Sequence, residues 1–193
     1  MAEAAGFELL TAWQRECSMP SIRRRAYPSH VKVLGIDPGT AACGYGVVVE
    51  QDGRLRELCH GVIRTPAGQR PELRLRTIFE AVQALIVEHA PDTVAMEESF
   101  VGADPRTALM VGQARGAVLV AAALAGLECS EHMPNRVKQT VAGHGHADKR
   151  EVQRMVQILL SLPKPPTPDH AADALAVAIC HALASPLLRM AAR

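Results

Sequence analysis

The stretch Val31-Lys32-Val33-Leu34-Gly35-Ile36-Asp37-Pro38-Gly39-Thr40 constrains this chain more than any other. Val, Leu and Ile in an unbroken run favour a buried strand, and Pro-Gly stops it. Asp37 therefore sits at the end of a central strand. A carboxylate at that place is costly unless it is hydrogen-bonded, paired or holding a cation. Gly44-Tyr45-Gly46-Val47-Val48-Val49 reads as a second strand, close enough to pair with the first as a hairpin.

Downstream elements follow from punctuation and period. Asp52-Gly53 is a hairpin turn and Leu55 to Arg64 a third strand. Pro71 opens a helix whose stripe of Leu73, Ile78, Val82, Leu85 and Ile86 runs to about His89. Thr93-Val94-Ala95-Met96 is a short strand that ends in Glu97-Glu98. The next helix, Pro105 to Ala125, is rich in Ala, Gly and Val, so it is either deeply buried or packed against a copy of itself. Leu127 to His132 is the last strand, Pro134 opens a short helix to Val141, and Asp148 caps a helix to about Leu160. Asp169 begins the final helix. Three antiparallel strands followed by alternating helix and strand describe an α/β domain, a mixed sheet covered by helices.

At 193 residues and 48% hydrophobic content, one domain with a sizeable core is expected over 31–185, between an N-terminal extension (1–30, expected to be disordered) and a short tail (186–193). Aromatic residues make up only 3%, so Ala, Val, Leu and Ile must build that core. A net charge of +1 means that a polyanionic partner would need the positive charge segregated on one face. The five cysteines include no C-x-x-C pair, and most of them are expected to be small buried hydrophobes in a reducing compartment. No uninterrupted apolar run reaches the roughly 18 residues of a membrane span, and the N-terminus does not read as a secretory signal. The expected setting is cytoplasmic, without a membrane.

Metal-type ligands stand at three element ends: Asp37, the pair Glu97-Glu98, and the first turn of the last helix. His170 and Asp173, three apart, share a face of that helix, and Asp169 is four from Asp173. Adjacent strand residues point to opposite faces, so only one of Glu97 and Glu98 can face Asp37. Carboxylates meeting in one cleft at roughly 4 Å repel by on the order of 4 kcal/mol per pair at an effective dielectric near 20. Divalent cations relieve this, and two of them are the standard arrangement for phosphodiester displacement.

Gly35-Ile36-Asp37-Pro38-Gly39 with Gly44-Tyr45-Gly46, Met96-Glu97-Glu98-Ser99-Phe100, Gly112-Gln113-Ala114-Arg115-Gly116, Val137-Lys138-Gln139-Thr140-Val141 and Ala171-Ala172-Asp173-Ala174-Leu175-Ala176 together resemble the RuvC family of Holliday junction resolvases. The resemblance implies a ribonuclease-H-like fold, a homodimer, and a metal-dependent endonuclease that nicks a four-way DNA junction symmetrically in recombination and repair. Such cleavage leaves 5′-phosphate and 3′-hydroxyl ends. Asp37, Glu97 and Asp173 match its acidic ligands, with Mg²⁺ or Mn²⁺, two per site, as the implied cofactor. The family often has Asp where this chain has His170, or Asp169 serves instead by a one-residue shift. Imidazole as a ligand suits Mn²⁺ better than Mg²⁺, which predicts Mn²⁺ preference and activity lost in acid as His170 takes up a proton. Phe100 matches an aromatic that stacks on bases near the junction centre.

Lys138 and Lys149 match lysines near the scissile phosphate, Lys149 being counted with the catalytic group. Arg136, Arg150 and Arg154 extend the basic stretch, with His144 and His146 between. Arg115 matches the dimer-forming region and is placed with Phe100, Arg136, Lys138, Lys149 and Arg150 as a DNA contact. A branch-migration complex of the RuvA and RuvB type is the further partner implied. Two other readings stand beside this one. The first is a junction-binding protein with weak catalysis. The second is an actin-like or sugar-kinase-like ATPase, whose second half and second Gly-rich loop this chain lacks.

Overall fold

A computed structural model describes residues 30–98 and 104–184. The extension before His30, Phe100 and the tail lie outside the described residues. Five strands form one sheet in the order β3-β2-β1-β4-β5. They are β1 (His30–Asp37), β2 (Ala42–Gln51), β3 (Arg54–Arg64), β4 (Thr93–Glu97) and β5 (Cys129–His132). The first three are antiparallel, while β4 and β5 run parallel to β1. Among the described residues five helices cover it: α1 (Pro71–His89), α2 (Pro105–Leu124), α3 (Pro134–Ala142), α4 (Lys149–Leu159) and α5 (Asp169–Leu183). The expected α/β mixed sheet is thus observed. Only β2 is notably longer, and β5 shorter, than the periodicity indicates.

Alternation along β1 divides the core. Leu34 and Ile36 join Val47, Val94 and Met96 beneath α1 and α2. Val31 and Val33 join Val48 and Ala95 beneath α3, α4 and α5. Of the two faces, the second holds α5 unusually close. Gly35 and Gly46 are register partners, as are Asp37 and Gly44, so three glycines form a floor on one face of β1 and β2. A methyl carbon placed on Gly35 lands on the carbonyl oxygen of Ala174; one on Gly44 lands on that of His170. One on Gly46 comes within 2.6 Å of Leu175 Cδ2. On the helix side, Ala171, Ala174 and Ala178 are fully buried. Small residues on both partners therefore let helix backbone rest on strand backbone, and α5 is buried almost throughout.

By length and composition, α2 is apolar enough to cross a membrane, which corrects the expectation from uninterrupted runs. It is not deeply buried either. Ala114, Val118, Ala121 and Ala122 face the sheet, whereas Leu109, Met110, Leu119, Val120 and Leu124 are exposed. Cys43 and Cys180 are buried as expected, but Cys59 and Cys129 are only half-buried; all four are free thiols. Cys17 lies outside the described residues.

A buried histidine pair joins β5 to α5. His132 Nε2 lies 3.0 Å from His181 Nδ1, and both residues are 4% exposed. Burial, with a lesser contribution from the Arg136 charge, pushes His132 down from 6.5 to about 4.

Two outcomes follow. Gly35→Ala drives a carbon into α5 backbone and lowers stability by about 3 kcal/mol or more, whereas Gly68→Ala, with open space around it, stays within about 0.5 kcal/mol. Urea titration of both variants checks this, and a Gly35→Ala protein as stable as the parent contradicts it. His132 stays neutral in the fold but protonates on unfolding below about 6.5, so the fold loses stability as pH falls from about 6.5 to about 4. His132→Gln removes up to roughly 1.4 kcal/mol of that dependence per pH unit. Parallel pH-dependent slopes for parent and variant would show that His132 is not the group concerned.

Candidate active site

Strand register builds the acidic cluster. Ile36 and Met96 are partners in the parallel β1–β4 ladder, so Asp37 and Glu97 follow at the same level, at the carboxyl end of the sheet. Ile36 and Met96 both face α1 and α2. The next residues, Asp37 and Glu97, therefore face α5. The glycine floor brings the start of α5 onto the same edge, carrying His170 and Asp173. His170 Nδ1 donates to Asp37 Oδ2 at 2.7 Å, since an ionised carboxylate only accepts. Glu98 follows Glu97 outward; it is exposed, and its N–H donates to the His132 carbonyl.

Two lysines reach the same cleft. Glu97, Lys138, Lys149 and Asp173 line a cavity of about 270 Å³, with Val137 and Val152 among its apolar walls. Lys138 comes from α3. Lys149 is the first residue of α4, placed there because the Asp148 carboxylate accepts from the Glu151 N–H at 2.8 Å. Lys149 Nζ lies 3.1 Å from Asp173 Oδ2 and 3.4 Å from Asp169 Oδ2.

The charges in this cleft are not balanced. Burial pushes the Glu97 carboxyl up, the charges of Asp37 and Asp173 push it further, and Lys138 and Lys149 pull it back. Asp173 is also raised, by burial first; Lys149 opposes this, while Asp37 adds to it. Lys149 is raised in turn: burial alone would lower it, but its contacts with Asp173 and Asp169 more than offset that. Among the described residues, no three His, Cys, Asp or Glu side chains close on one point as they stand. Instead Asp37 is drawn to His170 and Asp173 to Lys149. The donor set nevertheless suits a hard divalent cation: three carboxylates at one edge of the sheet, two of them disfavoured as anions, with one imidazole beside them.

Of the residues predicted from sequence, Asp37, Glu97, His170, Asp173, Lys138 and Lys149 come together here. Arg136 and Arg150 are exposed on α3 and α4, outside the cavity lining. Arg115 lies elsewhere: it is 13% exposed and engaged with the Glu97 main chain and with Glu131. Sequence reasoning missed Glu131 and the role of the glycines. The alternation Gly44-Tyr45-Gly46 opposite Gly35 carried the second signal, since glycines two apart on a strand clear one face.

Comparison with known proteins bears on this geometry. A sequence profile described as Crossover junction endodeoxyribonuclease RuvC matches residues 33–181. A protein of Moorella thermoacetica bearing that description is 54% identical over 154 residues, covering 80% of this chain and 92% of its own. One from Chloroflexus aggregans is 50% identical over 159 residues, covering 82% and 97%. Thermus thermophilus RuvC, solved in complex with Holliday junction substrate, is 41% identical, with a TM-score of 0.77 over 84% of this chain and 97% of that one. The yeast mitochondrial resolvase Ydc2, at 15% identity and a TM-score of 0.60, shares the fold. With a profile match over most of its length and relatives at half identity or better, the chain belongs to the RuvC family of crossover junction endodeoxyribonucleases.

Proposed function

We propose that this crossover junction endodeoxyribonuclease resolves Holliday junctions at a divalent-metal site built from Asp37, Glu97, Asp173 and His170. The observation that carries the proposal is that the ends of β1 and β4 and the first turn of α5 bring Asp37, Glu97 and Asp173 to one edge of the sheet, Glu97 and Asp173 sharing a cavity with Lys138 and Lys149. Bound there, a pair of Mg²⁺ or Mn²⁺ ions supplies Lewis acidity and an activated water for phosphodiester hydrolysis, leaving 5′-phosphate and 3′-hydroxyl ends. Asp37, Glu97 and Asp173 provide hard oxygen donors, and ligation relieves their mutual repulsion. The imidazole of His170 either remains on Asp37 and orients it or joins the donor set, in which case Mn²⁺ is preferred.

The lysines act on the phosphate. Lys149, held by Asp173 and Asp169 without DNA, exchanges them for a phosphate oxygen, and its contacts keep it fully charged until then. Lys138, on the facing helix, offers a second point charge. Exposed Arg136 and Arg150 extend the basic border along α3 and α4 and hold neighbouring phosphates. Phosphate neutralisation by these groups makes junction binding fall steeply with salt.

The exposed apolar face of α2, with Leu109, Val120 and Leu124, supports self-association. A two-fold dimer carries two sites to a substrate of approximate two-fold symmetry. The resemblance extends the proposal to Phe100 stacking on a junction base and to a branch-migration complex of the RuvA and RuvB type as partner; a cytoplasmic setting is proposed with it.

Synthetic four-way junction and matched linear duplex, each incubated in Mg²⁺ and in Mn²⁺, test the reading. Paired symmetric nicks on the junction alone are expected; equal cleavage of the duplex would mean a general nuclease. Asp37→Asn is expected to lower cleavage by about 10²-fold or more while junction binding persists. Loss of binding in step with cleavage would instead assign Asp37 a DNA-contacting or structural role. His170→Asp is expected to shift the preference from Mn²⁺ toward Mg²⁺. An unchanged preference removes His170 from the donor set and leaves it orienting Asp37.

A further inference from the structure

We infer that Arg115 is a positioning residue for Glu97, acting on the main chain from the face of the sheet opposite the cleft. Arg115 projects from α2 and spans two strands with one guanidinium. Its Nη1 donates to the carbonyl oxygen of Glu97 at 2.7 Å, and its Nη2 lies 2.5 Å from Glu131 Oε1. Glu131 is the register partner of Met96, so its side chain projects toward α2. The guanidinium thus ties α2 to the ends of β4 and β5 together.

The place it grips matters. The β1–β4 ladder ends at Ile36 and Met96, and Glu97 is the last residue of β4. On the β5 side the Glu98 N–H still pairs with the His132 carbonyl. The Glu97 carbonyl is held by Arg115 instead. Fixing that carbonyl fixes the peptide plane from which the Glu97 side chain enters the cavity. Only Arg, with a rigid planar fork, can serve a carbonyl on one strand and a carboxylate on the next. At 13% exposure the guanidinium cannot reach a phosphate in the cleft without giving up both partners. The family resemblance gave Arg115 to the dimer region and to DNA; its contacts give it to the carboxylate that the mechanism needs.

This inference rests on the reading of Glu97 as a metal ligand, and the test separates the two. Mn²⁺ binding to the DNA-free protein, followed by the electron paramagnetic resonance signal of free Mn²⁺, is measured for Glu97→Gln, Arg115→Gln, Arg115→Lys, Glu131→Gln and the Arg115→Gln/Glu131→Gln pair. Single-turnover junction cleavage and junction affinity are measured alongside. Arg115→Gln is expected to weaken Mn²⁺ binding about tenfold. Cleavage should fall by the same order at fixed Mn²⁺ and recover as Mn²⁺ is raised, with junction affinity within about twofold of the parent. Glu131→Gln is expected to give a smaller loss of the same kind, and the pair no more than Arg115→Gln alone. Arg115→Lys should not restore the parent value. Unchanged Mn²⁺ binding with weakened junction binding overturns the inference and makes Arg115 a DNA contact. Additive effects of Arg115 and Glu131 overturn it as well. If Arg115→Gln fails to fold, Glu131→Gln decides alone: parent-like Mn²⁺ binding overturns the inference. If Glu97→Gln itself binds Mn²⁺ as the parent does, the fault lies with the reading of Glu97 and not with Arg115.

Discussion

Everything at the acidic edge of the sheet depends on how closely α5 lies on β1 and β2. A helix packed on a sheet through ordinary side chains stands about 10 Å away, and its first turn would hold its polar groups above the strand ends. Here Gly35, Gly44 and Gly46 remove the side chains beneath it, and Ala171, Ala174 and Ala178 remove those above. The first turn of α5 settles against the end of β2, and His170 comes within hydrogen-bond reach of Asp37. Dense backbone packing thus substitutes for the aromatic bulk that this chain lacks. It also leaves little freedom to adjust, since a carbon added at the floor meets main chain and not the end of a flexible side chain.

That rigidity is used to hold groups that repel each other. Burial and the neighbouring carboxylates disfavour ionised Glu97, and burial disfavours ionised Asp173. In the cleft Asp37 pairs with His170 and Asp173 with Lys149. Those pairs are partly exposed, and screened pairs of this kind contribute little stability. They are therefore easily exchanged when stronger partners arrive. A sheet edge fixed by parallel register, a helix seated on glycines and a guanidinium bound to two strands hold that arrangement in place.

Most of this architecture was legible in the sequence because each element carried its own punctuation. Pro71, Pro105 and Pro134 open helices where the structure has them, and Asp148 caps α4. Asp37 and Glu97 could be placed at strand ends because apolar runs stop there. Which of Glu97 and Glu98 faces inward could not be read from pattern alone, because the answer depends on the pairing of β4 with β1 across a long sequence separation. The same reason hid Arg115 and Glu131, whose contact joins a helix to two strands. The Lys149 contacts with Asp169 and Asp173 were equally invisible, since a basic stretch in sequence says nothing of which acid it meets. The apolar character of α2 was plain, but composition cannot distinguish a face turned to the sheet from one turned outward.

The most direct test of the account is Mn²⁺ binding and junction cleavage by a folded Gly44→Ala protein. A carbon added at Gly44 meets His170 first, at its carbonyl in the first turn of α5, so the substitution is expected to lift that turn. The account predicts a fold that persists, with Mn²⁺ affinity and cleavage both reduced by about tenfold or more. A folded Gly44→Ala protein that binds Mn²⁺ and cuts junctions like its parent would contradict it, because the carboxylates would then not depend on the close seat of α5.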